Sequence, residues 1–166
     1  MIKFCIFNIS QNKINKLQPD AIILSPQEAP WWVYPESRLS KIKRLVRSFN
    51  IPTLGICGGH QLLIMSYGGE VAPIRGTKRG KTYEGRIAEK GFIKIRHFRE
   101  PEIFKNIPVE SFFYESHTEE AKNVPDEFQL MAFGEGITQI QGVKHISKPL
   151  YGVQFHPENY NAEYPY

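Results

Sequence analysis

A chain of 166 residues, 41% hydrophobic and 23% charged, is long enough to bury a sizeable core as one domain over 1–166, and its composition is that of a globular protein. No apolar run reaches the roughly 18 residues of a membrane span, and residues 1–7 turn polar too soon for a secretion signal, so no membrane role is expected. The net charge of +4 admits an acidic partner, but Glu84 and Glu89 interrupt or border the basic cluster Arg75, Lys78, Arg79, Lys81 and Arg86, and no nucleic-acid motif accompanies it.

Residues 2–9 read as a first buried strand, residues 8–16 as a loop or single turn, and residues 21–24 as a second buried strand. Trp31, Trp32 and Tyr34 follow a Ser-Pro-Gln-Glu-Ala-Pro loop at 25–30; they serve either as core or lid packing or as a partner-facing patch. Ser37 is a candidate N-cap. Leu39, Ile42, Leu45, Val46 and Phe49 then recur at helical spacing, with Lys41, Lys43, Arg44 and Arg47 on the other face. The next strand, 51–56, follows at once, so this strand–helix–strand unit predicts parallel pairing.

Residues 51–69 organise the chain. An apolar strand runs into Cys57-Gly58-Gly59, and residues 60–67 read as helix closed by Gly68-Gly69. This is the layout of a nucleophile elbow: glycines permit the tight turn, and the helix N-terminus lowers the pKa of a thiol placed there. A single cysteine after a strand is more often a small buried hydrophobe, so the partners decide. Residues 86–89 and 92–95 read as a hairpin about Lys90-Gly91, and residues 112–117 as a strand ending in Ser116-His117. Strands at 128–133 and 137–143 follow. The strand 151–155 then leads into His156 and, two residues on, Glu158. Cys57, His156 and Glu158 supply a nucleophile, a base and a group to orient the base, each at the end of a strand. Two cysteines make no disulfide framework, which points to a reducing, cytoplasmic setting. The histidines lack metal-ligand spacing, and no cofactor or metal is expected; His97 and His145 read as surface residues, His60 as packing or partner contact.

Gly-Ile-Cys-Gly-Gly-His-Gln at 55–61 together with Tyr-Gly-Val-Gln-Phe-His-Pro-Glu at 151–158 resembles the class I (triad) glutamine amidotransferase family. The second motif and Ser116-His117 look most like the GMP synthetase branch of that family. The resemblance implies an α/β fold: an open, mostly parallel sheet with helices on both faces, plus an added antiparallel hairpin region. Only about ten residues separate the first two strands where relatives carry an αβ unit, so the sheet is expected to be one unit shorter there, or the connection minimal. The implied activity is hydrolysis of the glutamine side-chain amide, with Cys57 as nucleophile, His156 as base and Glu158 as orienter, supplying ammonia to a separate synthetase subunit. The oxyanion donors implied are the N–H groups of Gly58 and of Gln27, which stands in the 25–30 loop where relatives carry a glycine. Gln61, Ser116 and His117 match substrate-binding positions. The segment 81–85 loosely matches a further Arg-Glu-Tyr/Phe-Gly stretch. Two alternatives stay open: a stand-alone hydrolase of another γ-glutamyl amide, and an impaired glutamine-binding or regulatory module.

Overall fold

The computed structural model describes residues 1–3, 5–27, 29–76, 85–98 and 102–159. Lys78, Arg79 and Lys81 of the basic cluster lie outside the described residues, as does the 81–85 match except for Gly85.

The described residues of 2–9 do not form the expected strand. Ile2 is exposed, and a 3-10 turn at Ile6–Asn8 turns Ile6 and Phe7 onto the helical layer instead. Phe7 stacks at 4.8 Å on Tyr34, so its apolar surface is satisfied by an aromatic neighbour rather than by a sheet edge. The expected loop at 8–16 contains a helix, α1 (Gln11–Leu17). Ser10 caps it by accepting from the Lys13 N–H, and Gln18 closes it at φ 44° while Ile14 is buried.

Strand β1 (Ile22–Leu24), helix α2 (Glu36–Arg47) and strand β2 (Thr53–Ile56) form the parallel unit expected from their order, with Ile22 opposite Thr53. Leu39, Ile42 and Val46 of α2 point inward at helical spacing. Ser37 lies inside the first turn, and Pro35 occupies the cap position, where a missing N–H costs nothing. Helix α3 (Gly58–Ser66) follows β2 after Cys57. Then come β3 (Val71–Pro73), β4 (Glu89–His97), β5 (Glu110–His117), β6 (Glu119–Ala121), β7 (Phe128–Gly134), β8 (Ile140–His145) and β9 (Leu150–Val153).

Seven strands form one sheet in the order β1-β2-β9-β8-β7-β4-β5, and β3 pairs with β6 in a small antiparallel sheet. The fold is α/β, with β1, β2 and β9 parallel and the other pairings of the large sheet antiparallel. The antiparallel part extends further than the sequence reading allowed, because the connections from β7 to β9 are too short to hold crossover helices. No described strand pairs with the outer edge of β1, as expected for a sheet one unit shorter there.

The predicted hairpin about Lys90-Gly91 is instead one continuous strand, β4, paired with β5 from Glu89 to Arg96. Gly91 takes φ 116° inside the ladder, so its freedom is used for a local distortion and not for a turn.

The three α-helices share one core with Leu24, Val143 and Leu150. The opposite face carries a second core of Ile56, Ile95, Phe113, Met131, Val153 and Phe155, covered among the described residues by a 3-10 turn at Glu102–Phe104. The described helices therefore sit mainly on one face rather than on both. His97 and His145, expected at the surface, are buried because backbone groups satisfy their rings. His97 meets the carbonyls of Phe98 and Pro108, and His145 Nδ1 accepts from the N–H groups of Ser147 and Lys148.

Candidate active site

Cys57 stands between β2 and α3 at φ 50°, ψ −105°, a backbone region costly for any residue with a Cβ. Two hydrogen bonds hold it there. Its N–H donates to the Val153 carbonyl of β9 at 2.8 Å, and its own carbonyl accepts from the Gln61 N–H at 3.0 Å. Glycine is required on either side. A Cβ on Gly59 would lie 2.0 Å from the Leu24 carbonyl oxygen, and one on Gly55 would lie 2.5 Å from the Gly59 carbonyl oxygen. The elbow expected from residues 51–69 is thus a close crossing of β1, β2 and α3.

Burial pushes the Cys57 thiol up to about 12, and the charges of Glu115 and Glu158 add to the rise. The Gly58 N–H and the Gln154 side chain oppose it. The sulfur accepts from Gln154 Nε2 at 3.6 Å.

His156 follows β9 and is tied to β5 through its N–H, which donates to the Tyr114 carbonyl at 2.8 Å. Its Nδ1 lies 2.8 Å from Glu158 Oε1. A carboxylate only accepts, so this pairing places the ring proton on Nδ1 and leaves Nε2 with a free lone pair. Nε2 is buried and has no protein partner among the described residues. The expected base and orienter are therefore joined, whereas no hydrogen bond links the sulfur to the imidazole.

Gly58 and Gln27 are in close contact: a Cβ on Gly58 would come within 2.9 Å of the Gln27 backbone nitrogen. Both line a cavity of about 280 Å³ together with Cys57, Gln61, Ser116 and His117. A larger cleft of about 370 Å³ lies between residues 6–11 and α2; it is lined by Ser10, Arg38 and Lys41 among others and contains neither a cysteine nor a carboxylate.

Gln61 lines the cavity, but its carboxamide is engaged within the protein. It accepts from Trp31 Nε1 at 2.9 Å and donates to the Glu119 carbonyl at 2.8 Å and to Gln154 Oε1 at 3.2 Å. Trp31 is buried, so of the two readings of the aromatic run the core reading holds for this residue. Ser116 is exposed on β5, opposite Lys90.

The His117 side chain points into a buried polar cluster. Its Nε2 lies 3.0 Å from Glu115 and 3.4 Å from Glu89, and its Nδ1 2.9 Å from the Glu119 carbonyl. Glu89 also accepts from the N–H groups of Ile137 and Thr138, at 2.6 and 3.1 Å. Burial works to lower the His117 pKa, but hydrogen bonds to Glu115 and Glu89 outweigh it and hold the ring up at about 9. A raised histidine stabilises the fold fully below its unfolded pKa, near 6.5, and loses that contribution as pH rises through 9. Stability is therefore expected to fall by about 3 kcal/mol between pH 6.5 and pH 9. Urea unfolding at the two pH values measures it, and the difference should vanish in His117→Gln.

Sequence reasoning missed Gln154, Glu89 and Glu115. Period-2 counting from buried Phe113 would have turned Glu115 and His117 inward together. Glu89 was hidden by the hairpin reading. Gln154 carried no signal beyond its place two residues before His156.

The family model described as glutamine amidotransferase class-I matches residues 2–164. The chain is 40% identical over 114 residues to a glutamine-hydrolyzing GMP synthase subunit of Methanocaldococcus jannaschii, covering 69% of this chain and 54% of that protein. It is 35% identical over 153 residues to the subunit of the same name from Pyrococcus furiosus, covering 92% of this chain and 73% of that one. The chain thus spans little more than half the length of the first relative and about three quarters of the second. Among solved structures it is similar to a protein described as a GMP synthase subunit, from Thermoplasma acidophilum, with TM-score 0.75, 28% identity, and coverage of 92% of this chain and 69% of that one.

Proposed function

Because the chain belongs to the class-I glutamine amidotransferase family, we propose that it hydrolyses the side-chain amide of glutamine and delivers the ammonia to a separate synthetase subunit. The observation that carries this reading is the convergence of Cys57, Gly58, Gln27, Ser116 and His117 on one cavity; separately, Glu158 orients the His156 ring.

In this reading His156 Nε2 takes the thiol proton as the sulfur attacks the amide carbon. The tetrahedral oxyanion is held by the N–H groups of Gly58 and Gln27. The same proton passes to the departing nitrogen, ammonia leaves, and a γ-glutamyl thioester remains on Cys57. Water deprotonated by His156 then releases glutamate. Glu158 stabilises the imidazolium that forms in both halves. Ser116 and His117 contribute backbone N–H groups to the substrate carboxylate, because the His117 ring is committed to Glu115 and Glu89. Gln61 shapes the cavity wall. The synthetase partner rests on the named relatives, which are subunits of GMP synthase.

A diazoketone analogue of glutamine tests the reading. Mass spectrometry should find it on Cys57, and excess glutamine should block the labelling. Folded protein that stays unlabelled, with and without a synthetase subunit, would overturn it.

Gly58→Ala probes the oxyanion pair. The new Cβ would sit 2.8 Å from the Gln27 side chain and 2.9 Å from its nitrogen, so Gln27 must move away. The expected result is a fall in kcat of about 10²-fold with little change in KM, read from steady-state glutamate release.

A further inference from the structure

We propose that Gln154 is a further residue of the nucleophile site: its carboxamide N–H holds the Cys57 sulfur, and Gln61 and Trp31 fix which way that carboxamide faces. The inference rests on reading Cys57 as the nucleophile.

The orientation follows from donor and acceptor counting. The indole Nε1–H of Trp31 can only donate, and Gln61 Oε1 lies 2.9 Å from it. Gln61 therefore turns its NH₂ group to the other side. There it meets the Glu119 carbonyl at 2.8 Å, which can only accept, and Gln154 Oε1 at 3.2 Å. With the Gln154 oxygen occupied by that donor, its NH₂ group faces Cys57 Sγ at 3.6 Å. Inverting either amide would set donor against donor or acceptor against acceptor. The backbone completes the fixation, since the Gln154 N–H donates to the Gln141 carbonyl at 2.9 Å. Gln154 is fully buried and Gln61 nearly so, so water does not compete for these bonds.

A thiolate accepts hydrogen bonds and cannot donate them, so an N–H aimed at the sulfur favours the ionised form. The charged groups around the sulfur work the other way: Glu115 from β5 and Glu158 beyond β9 both disfavour a second negative charge. From α3 comes the Gly58 N–H, which favours the thiolate. β2 presents no ionisable group. His156 is oriented by Glu158. Gln154 is thus a neutral side-chain donor that, with the Gly58 N–H, opposes the rise imposed by burial and the two carboxylates, and Trp31 and Gln61 are positioning residues that act through it.

Alkylation of the full chain by iodoacetamide tests this, with the rate at Cys57 followed by peptide mass spectrometry to separate it from exposed Cys5. Gln154→Leu removes the donor at nearly constant volume. Cys57 labelling between pH 7 and 9 should become about tenfold slower at each pH, because the thiolate fraction falls. A merely structural role predicts the reverse, since loosening the fold exposes the thiol and speeds labelling. Trp31→Phe keeps an aromatic ring but removes the indole N–H, so that the Glu119 carbonyl alone is left to orient the two amides and their fixation weakens. It should slow labelling roughly threefold, and the double variant should be no slower than Gln154→Leu alone. Folded Gln154→Leu that is labelled at the wild-type rate or faster overturns the proposal. If that variant does not fold, Gln154→Met and Trp31→Phe decide by the same criterion. The labelling needs no glutamine. A wild type that releases no glutamate would therefore overturn the proposed activity and leave this result readable.

Discussion

Cys57→Ala is expected to lower glutamine hydrolysis by at least about 10⁴-fold while leaving the fold intact. The size follows from the role proposed for the sulfur. It is the atom that forms the covalent intermediate, and no described side chain in the cavity replaces it. Among the groups lining the cavity, Ser116 lies on β5 opposite Lys90, apart from the elbow, and the His117 ring is held by two carboxylates. Stability should change little, because alanine keeps the Cβ and the positive φ that the backbone already tolerates. Glutamate release measured against the melting curve of the same sample separates the two effects. A variant retaining activity within tenfold of wild type would show that the sulfur is not the nucleophile.

The second large effect concerns the fold beneath the site. In Gly59→Ala the new methyl group would sit 2.0 Å from the Leu24 carbonyl oxygen and 2.7 Å from its carbonyl carbon. Both are backbone atoms of β1, so no side-chain rotation relieves the clash, and α3 must lift off the sheet. A loss of about 3 kcal/mol or more is expected, which lowers the melting temperature by roughly 6–12 °C. Gly68→Ala is the control. That position has φ 87° and nothing within 4 Å of an added Cβ, so it carries backbone strain alone, of about 1 kcal/mol. Equal melting temperatures for the two variants would mean that α3 and β1 do not approach as closely as described.

Gly59 and its neighbours were legible from the chain alone because the elbow is contiguous. A strand, a cysteine, two glycines and a helix follow one another, so local rules suffice to place them. The parallel pairing of β1 and β2 was legible for the same reason, with α2 between them. Residues 2–9 misled because their apolar content says only that they will be covered, not by what; the cover is Tyr34 and the helical layer. Gly91 misled because glycine marks both a turn and a distortion inside a strand, and only the partner strand β5 decides between them. Gln154 and Gln61 carry their meaning in an amide orientation set by Trp31, 123 positions before Gln154 (154 − 31), and nothing local encodes that.

The bond from the Cys57 N–H to the Val153 carbonyl has a consequence for the birth of the protein. Synthesis makes β2 and α3 early, yet the strand that locks the elbow emerges some 95 residues later, as β9. Until β9 slots between β2 and β8, Cys57 has no reason to hold φ 50°, and its backbone relaxes to an ordinary conformation. The growing chain therefore carries an unstrained, ordinary cysteine until β9 has been made. The strained backbone at Cys57 is thus expected only once β9, the last of the described strands, is in place.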